Sequence, residues 1–267
     1  MAVAKSKPFS TTKLSRILSL LPAKAPAELK DFTTQYFAKV PPGDMQAMDA
    51  AFGASMAESA FEFFAKRAPG KPKIRILVPE YFKEHKKRAR TVVEILNDDA
   101  PFLVDSLTNE LTRKGFTIYE TIHPMFGVER DSKGNLLAVD DLESGKESIE
   151  SFIHFEISSL PESLSVKDLE ECLHKVLSRV FVAYSDWKKM LARADAVSDS
   201  LKKMTKAFSI EEVEEALDFV EWLKAKNFVF LGAAEYAYFD KSGKENLSAV
   251  PGSELGILRI TDTEMMH

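Results

Sequence analysis

The spacing of apolar positions changes period twice along the chain. Over residues 1–70 it is helical but interrupted: Leu14, Ile17, Leu18 and Leu21 recur at three- and four-residue intervals, and Pro22, Pro26, Pro41 and Pro42 cut the region into short helices. Met45, Met48, Phe52, Met56, Phe63 and Phe64 give the third of these an apolar stripe suited to docking. After Pro72 the pattern becomes strand-like in "KIRILVP" and "TVVEILN", which the basic run "EYFKEHKKRAR" joins. Leu103, Val104, Leu107 and Leu111 then return to one helical arc, and Gly115 stands where a helix would stop.

A long strand, "FTIYETIHPMFGVER", is predicted next, turning through "DSKGN" into "LLAV"; after the polar loop "DDLESGKE", "SFIHFEI" supplies a further strand. Val166, Leu169, Leu173, Val176, Leu177, Val180, Tyr184 and Trp187 form a sustained helical stripe, with Ser165 placed to cap it. Strand, helix, strand, strand, helix is most of a split β-α-β unit, with two helices on one face of an antiparallel sheet. The nearest candidate for a fourth strand is "KIRILVP". Residues 188–206 and 210–225 read as two more helices, and "NFVFLGAAEYAYFDKSGKENLSAV" as a hairpin turning at Lys241 to Asn246. The predicted division is a helical amino-terminal segment at 1–70, an α+β domain at 71–187, a helical pair at 188–226, and the start of a truncated β-containing domain at 227–267.

Composition narrows the function. With 45% apolar and 29% charged residues the chain reads as a soluble globular protein, and its 267 residues suffice for about one to three domains. A formal net charge of -5 argues against a nucleic-acid partner, which would demand a basic surplus. The single cysteine, Cys172, forms no intramolecular disulfide and fits a reducing cytoplasm. No apolar run approaches the ~18 to 20 residues that span a bilayer, so no membrane partner is expected. The first 25 residues are basic and contain no acid, as in a transit peptide, but their helical spacing favours a docking helix.

Motifs for chemistry are missing. No G-x-G-x-x-G, P-loop, G-x-S-x-G, H-E-x-x-H or C-x-x-C spacing occurs, and Cys172 sits at the edge of an apolar stripe, as a small buried hydrophobe does. No catalytic residue is therefore assigned. His123 and His154 fall on two strands and, in the expected register, share a sheet face with Tyr119, Thr121 and Phe152. Without a carboxylate at ligand spacing no metal site is assigned, and Tyr119, His123, Phe152 and His154 are read as a face covered by another element or subunit. "KEHKKRAR" is read as a solvated loop, and "EEVEEALDFVE" as the wet face of a helix whose dry face carries Val213, Ala216, Phe219 and Val220.

"NDDAPFLVDSL" holds the candidate ligand site. Asp99 is expected to cap the following helix, Pro101 is tolerated in its first turn, and the same strand-to-helix junction is a ready anion site. Asp98 or Asp99 is alternatively placed to meet the ammonium of an amino acid. Phe102 lies off the arc of Leu103, Val104, Leu107 and Leu111, so its ring needs a neighbouring helix, a partner domain or a ligand.

A strand followed by "DAPF" and a helix, then two strands and a second helix, resembles the ACT domain, a ferredoxin-like βαββαβ regulatory fold. The ordered strings "NDDAPFLVDSLTNEL", "HPMFGVERDSKGNL", "SFIHFEI", "SDWKKM", "NFVFLG" and "VPGSELGILR" are more specific. Together they resemble the amino-terminal region of the large bacterial NAD-specific glutamate dehydrogenases, over roughly residues 73–260. The resemblance implies an α+β ACT-like domain flanked by helices, acting as a non-catalytic regulatory and oligomerisation segment. It implies no cofactor in this segment. In the full-length enzyme, NAD would serve the conversion of glutamate and water to 2-oxoglutarate and ammonia. The implied partners are other domains and subunits of a homo-oligomer and an amino-acid effector, with Asp98, Asp99, Ala100, Pro101 and Phe102 as ligand-binding or interface residues. Ligand-binding ACT domains often carry glycine where Phe102 stands. The alternative is a free-standing ACT-like amino-acid-binding or protein-interaction module.

Overall fold

The computed structural model describes residues 11–140, 148–205, 207–241 and 244–260. The predicted polar loop at 141–147, the tip of the second hairpin and both chain ends lie outside these residues. The chain divides into two compact units, Met1–Leu177 and Ser178–His267.

The first unit is α+β. Four helices come first: α1 (Thr11–Leu20), α2 (Ala27–Tyr36), α3 (Pro42–Ala47) and α4 (Ala50–Phe64). The stripe expected to form one helix from Met45 to Phe64 is broken at Asp49, whose carboxylate accepts a hydrogen bond from Phe52 N–H at 2.9 Å and so starts α4. Next come β1 (Lys73–Leu77), the short α5 (Tyr81–Glu84), β2 (Thr91–Asp98), α6 (Leu103–Arg113), β3 (Ile118–Ile122), β4 (Met125–Arg130), β5 (Leu136–Asp140), β6 (Ser148–Ile157) and α7 (Val166–Leu201).

The antiparallel sheet runs β1-β2-β6-β4-β5, with β3 also on β6. The candidate fourth strand takes the edge beside β2, in the register Lys73↔Leu96 to Leu77↔Val92. The long strand predicted from Phe116 is interrupted at His123 and Pro124, where proline has no N–H to give the ladder. Its two halves nevertheless keep one register on β6, Ile122↔His154 and Met125↔Ser151.

Both faces of the sheet are covered by this chain. One receives the amino-terminal helices: Phe32 and Tyr36 of α2 and Phe64 of α4 meet Phe126 of β4 and Phe152 of β6 in a single core that also holds Ile17, Met45 and Met56. Phe32 stacks on Phe126, ring centroids 4.9 Å apart at 9°, and stands edge-on to Phe152. The helical segment 1–70, divided in the prediction from the α+β domain at 71–187, is a layer of the same unit, because the sheet supplies the apolar surface that its docking stripes require. On the opposite face Val93, Ile95, Ile153 and Phe155 are buried, as are Leu103, Leu107 and Leu111 of α6 and Leu169, Leu173 and Leu177 of α7. Cys172 of α7 donates to Glu110 of α6 at 2.7 Å.

Local stop and start signals act as the sequence indicates. Gly115 ends α6 with φ +85° and Phe116 N–H reaching back to Leu111 O at 3.1 Å, while Ser165 caps α7 through Asp168 N–H at 3.1 Å. Gly134 takes φ +81°, and a Cβ there would lie 1.8 Å from Arg67 O, so both the turn and the close approach of α4's exit require glycine.

The second unit begins within α7, which continues unbroken to Leu201 instead of restarting at residue 188. A capping box at Ser209 and Glu212 opens α8 (Ile210–Trp222). The pair β7 (Gly232–Ala233) and β10 (Leu255–Gly256) and the hairpin β8 (Tyr236–Lys241) and β9 (Lys244–Ala249) follow; Lys241↔Lys244 pairing makes the hairpin tighter than the expected turn at Lys241 to Asn246. No described helix is long and apolar enough to cross a membrane.

Candidate functional site

The β2–α6 junction is held from below by a charged network that sequence patterning did not single out. Arg67, at the exit of α4, donates to Asp98 Oδ1 at 2.8 Å and to Glu150 Oε1 at 2.9 Å; Arg130 of β4 clasps both oxygens of Glu150 at 2.8 Å each. Arg67 and Glu150 side chains are each 3% exposed. Alternation along β6 explains the demand: Phe152 and Glu150 are two residues apart and face the same covered side, so that the buried acid requires cationic partners. Asp98 is thereby committed to anchoring the loop, and Asp99 N–H ties it to Ile149 O at 3.2 Å.

The expected cap by Asp99 is absent. The residue at the cap position is Phe102, in a left-handed conformation with φ +66° and ψ +9°, and no side chain caps α6. Asp99 is exposed, and its carboxylate makes no hydrogen bond or salt bridge among the described residues. Ala100 is buried, Pro101 is exposed and Phe102 is 52% exposed, so that neither a neighbouring helix nor the core takes its ring. A phenylalanine at positive φ with its ring in solvent is locally unfavourable in both backbone and side chain. Phe102→Gly relaxes the backbone and Phe102→Val strains it. The two variants are expected to differ by about 1–2 kcal/mol in urea denaturation, glycine being the more stable.

His123 and His154 do not share a face. Ile122, not His123, pairs with His154, and one residue of register reverses the side. Phe152 and His154 are fully buried under the amino-terminal helices, and His154 bonds Glu94 at 3.4 Å. His123 bonds Ser151 at 2.7 Å, and burial, aided by Lys39, holds its pKa below the usual value. Tyr119 is half exposed under the guanidinium of Arg90, 4.4 Å from its ring centroid. Of the two covers expected for this face, another element or a subunit, it is the chain's own helices that fill it at Phe152 and His154, through Tyr36 and Phe64.

The basic run is also partly accounted for. Lys87, Arg88 and Arg90 border a cavity of about 360 Å³ with Asp44, Glu120 and Glu156, and Arg90 pairs with Glu156 at 2.6 Å. Glu120 stands directly across the ladder from Glu156; burial and that facing charge raise its pKa. Among the described residues no group of three or more His, Cys, Asp or Glu is arranged to hold a metal ion.

The family model described as "Glutamate dehydrogenase, ACT1 domain" matches residues 32–173. The NAD-specific glutamate dehydrogenase of Halomonas elongata is 32% identical over 251 residues, 92% of this chain and 15% of its own length. That of Pseudomonas aeruginosa is 31% identical over 204 residues, 76% of this chain and 13% of its own. That of Mycobacterium tuberculosis is 22% identical over 181 residues, covering 65% and 11%. The chain therefore spans no more than 15% of the length of these curated relatives.

Proposed function

Because the chain belongs to the NAD-specific glutamate dehydrogenase family and contains its ACT1 domain, we propose that it is a non-catalytic segment for regulation and assembly of such an enzyme. The full-length protein converts glutamate, NAD and water to 2-oxoglutarate, ammonia and NADH; this segment holds no cofactor and contacts the other domains and subunits of a homo-oligomer. The cytoplasm, where glutamate and NAD are both available, is its compartment.

The observation that carries the reading is the state of the β2–α6 junction. A free amino acid presents a carboxylate and an ammonium a few ångströms apart. The uncapped first turn of α6 offers N–H groups and the positive end of the helix dipole to the first, and the unpaired Asp99 offers a carboxylate to the second. Had Asp99 capped the helix, both features would be spent on each other. Arg67, by holding Asp98, keeps the loop in place before any ligand arrives, which lowers the ordering cost of binding. Exposed Phe102, with Ile149 46% exposed beside the same loop, supplies apolar surface for a second domain to close over the ligand.

Titration calorimetry of the chain against a panel of amino acids tests this directly. At least one is expected to give saturable heat, and Asp99→Asn is expected to weaken that binding by about tenfold, equivalent to ~1.4 kcal/mol. No heat from any amino acid overturns the sensing role; sedimentation then decides whether the chain still self-associates, and a monomer at all concentrations overturns the assembly role.

A further inference from the structure

The second unit exposes an apolar cleft with acidic surroundings. Sequence periodicity assigns Val213, Ala216, Phe219 and Val220 to the dry side of α8, yet of these only Val213 is buried and Phe219 is 59% exposed. Leu201, Met204, Phe208, Val213 and Phe219 line a cleft of about 510 Å³, with Glu215 at its border. Trp222 extends the apolar surface along α8, its ring stacked near Phe219 at 6.1 Å. Such a contiguous patch with acids around it has the composition of a recognition surface.

The charges select the occupant. α8 carries Glu211, Glu212, Glu214, Glu215, Asp218 and Glu221 and no basic residue. Glu212 is occupied by the capping box and Glu221 by Lys224 at 2.7 Å. Glu211, Glu214, Glu215 and Asp218 form no salt bridge among the described residues. Glu215 borders the cleft with Glu211 and Asp218 on the same helical stripe, and these outnumber the exposed Lys202 and Lys203 beside the end of α7, so a two-fold copy of the surface would bring together more like than opposite charge. We infer that the cleft formed by the end of α7 and by α8 binds an amphipathic helix whose apolar stripe fills it and whose flanks carry Lys or Arg. Phe208 and Phe219 act as anchors, Met204 adapts to the incoming side chains, and the free acids set orientation and on-rate. This inference is independent of any ligand at the β2–α6 junction.

The test uses the whole chain and a synthetic leucine–lysine peptide of about four helical turns, with a leucine–glutamate peptide of identical pattern as its counterpart. Saturable binding of the lysine peptide is expected in fluorescence anisotropy, about tenfold or more tighter than the glutamate peptide. Phe219→Asp, at an exposed position, is expected to abolish that difference while leaving the circular dichroism spectrum unchanged. Converting Glu211, Glu215 and Asp218 together to lysine is expected to reverse the peptide preference. Equal affinity for the two peptides, unchanged binding by Phe219→Asp, or concentration-dependent dimerisation that Phe219→Asp eliminates would each overturn the inference.

Discussion

Replacing Phe32 by alanine is expected to destabilise the first unit by about 3–5 kcal/mol, the range for removing a large buried aromatic. Phe32 is fully buried and its ring contacts Tyr36, Phe61, Phe64, Phe126 and Phe152, which come from α2, α4, β4 and β6. No single neighbour can move to fill the space, since all are held in packed elements that the rest of the core fixes. Stability on this scale is a large share of the ~5–15 kcal/mol typical of a domain, so the variant is expected to be largely unfolded at moderate urea. Phe32→Leu, which keeps most of the volume, should recover more than half of the loss. An equal, small effect of both substitutions would mean that the helical layer is not part of the same cooperative unit as the sheet.

Glu150→Ala carries the second large effect, about 3–5 kcal/mol, for a different reason. Its carboxylate is shared by Arg67 and Arg130, whose side chains are 3% and 9% exposed, so alanine leaves two buried guanidinium groups with their main counter-charge removed. Arg67 retains Asp98 and Lys71 O, and Arg130 retains Gly134 O and Phe64 O, which bounds the loss. Glu150→Gln keeps the shape and one acceptor and should be the milder variant. The same change is expected to loosen the β2–α6 junction: backbone amides around Asp98 and Asp99 should exchange faster with solvent even in urea-free buffer, where the unit as a whole remains folded. Unaltered exchange there would show that Arg67 anchors the loop without help from Glu150.

The junction shows where sequence reading succeeds and stops. "NDDAPF" correctly marks a strand passing into a helix, since proline, acids and the following apolar arc are local signals. Asp99 as the cap did not follow, because Asp98 and the loop are positioned by Arg67, 31 residues earlier in the chain, and the chain enters α6 through a left-handed Phe102 instead. Nothing within the stretch encodes that distant guanidinium. Glu150 had a legible signal: its place in the alternating "SIESFIHFEI" puts it on the covered side of the strand, which requires a cation.

Sequence alone determined what depends on near neighbours: the helical and strand periods, the glycine stop at Gly115 and the cap at Ser165. These are set by backbone sterics and hydrogen bonds within a few residues. Tertiary structure decided which surfaces meet. It laid the amino-terminal helices over Phe152 and His154, separated His123 from His154 by one step of register, paired Glu150 with two distant arginines, and left Phe102 and Phe219 in solvent. Apolar burial is non-directional, so a hydrophobic stripe states that it must be covered without stating by what. The answer lies in chain closure over long separations.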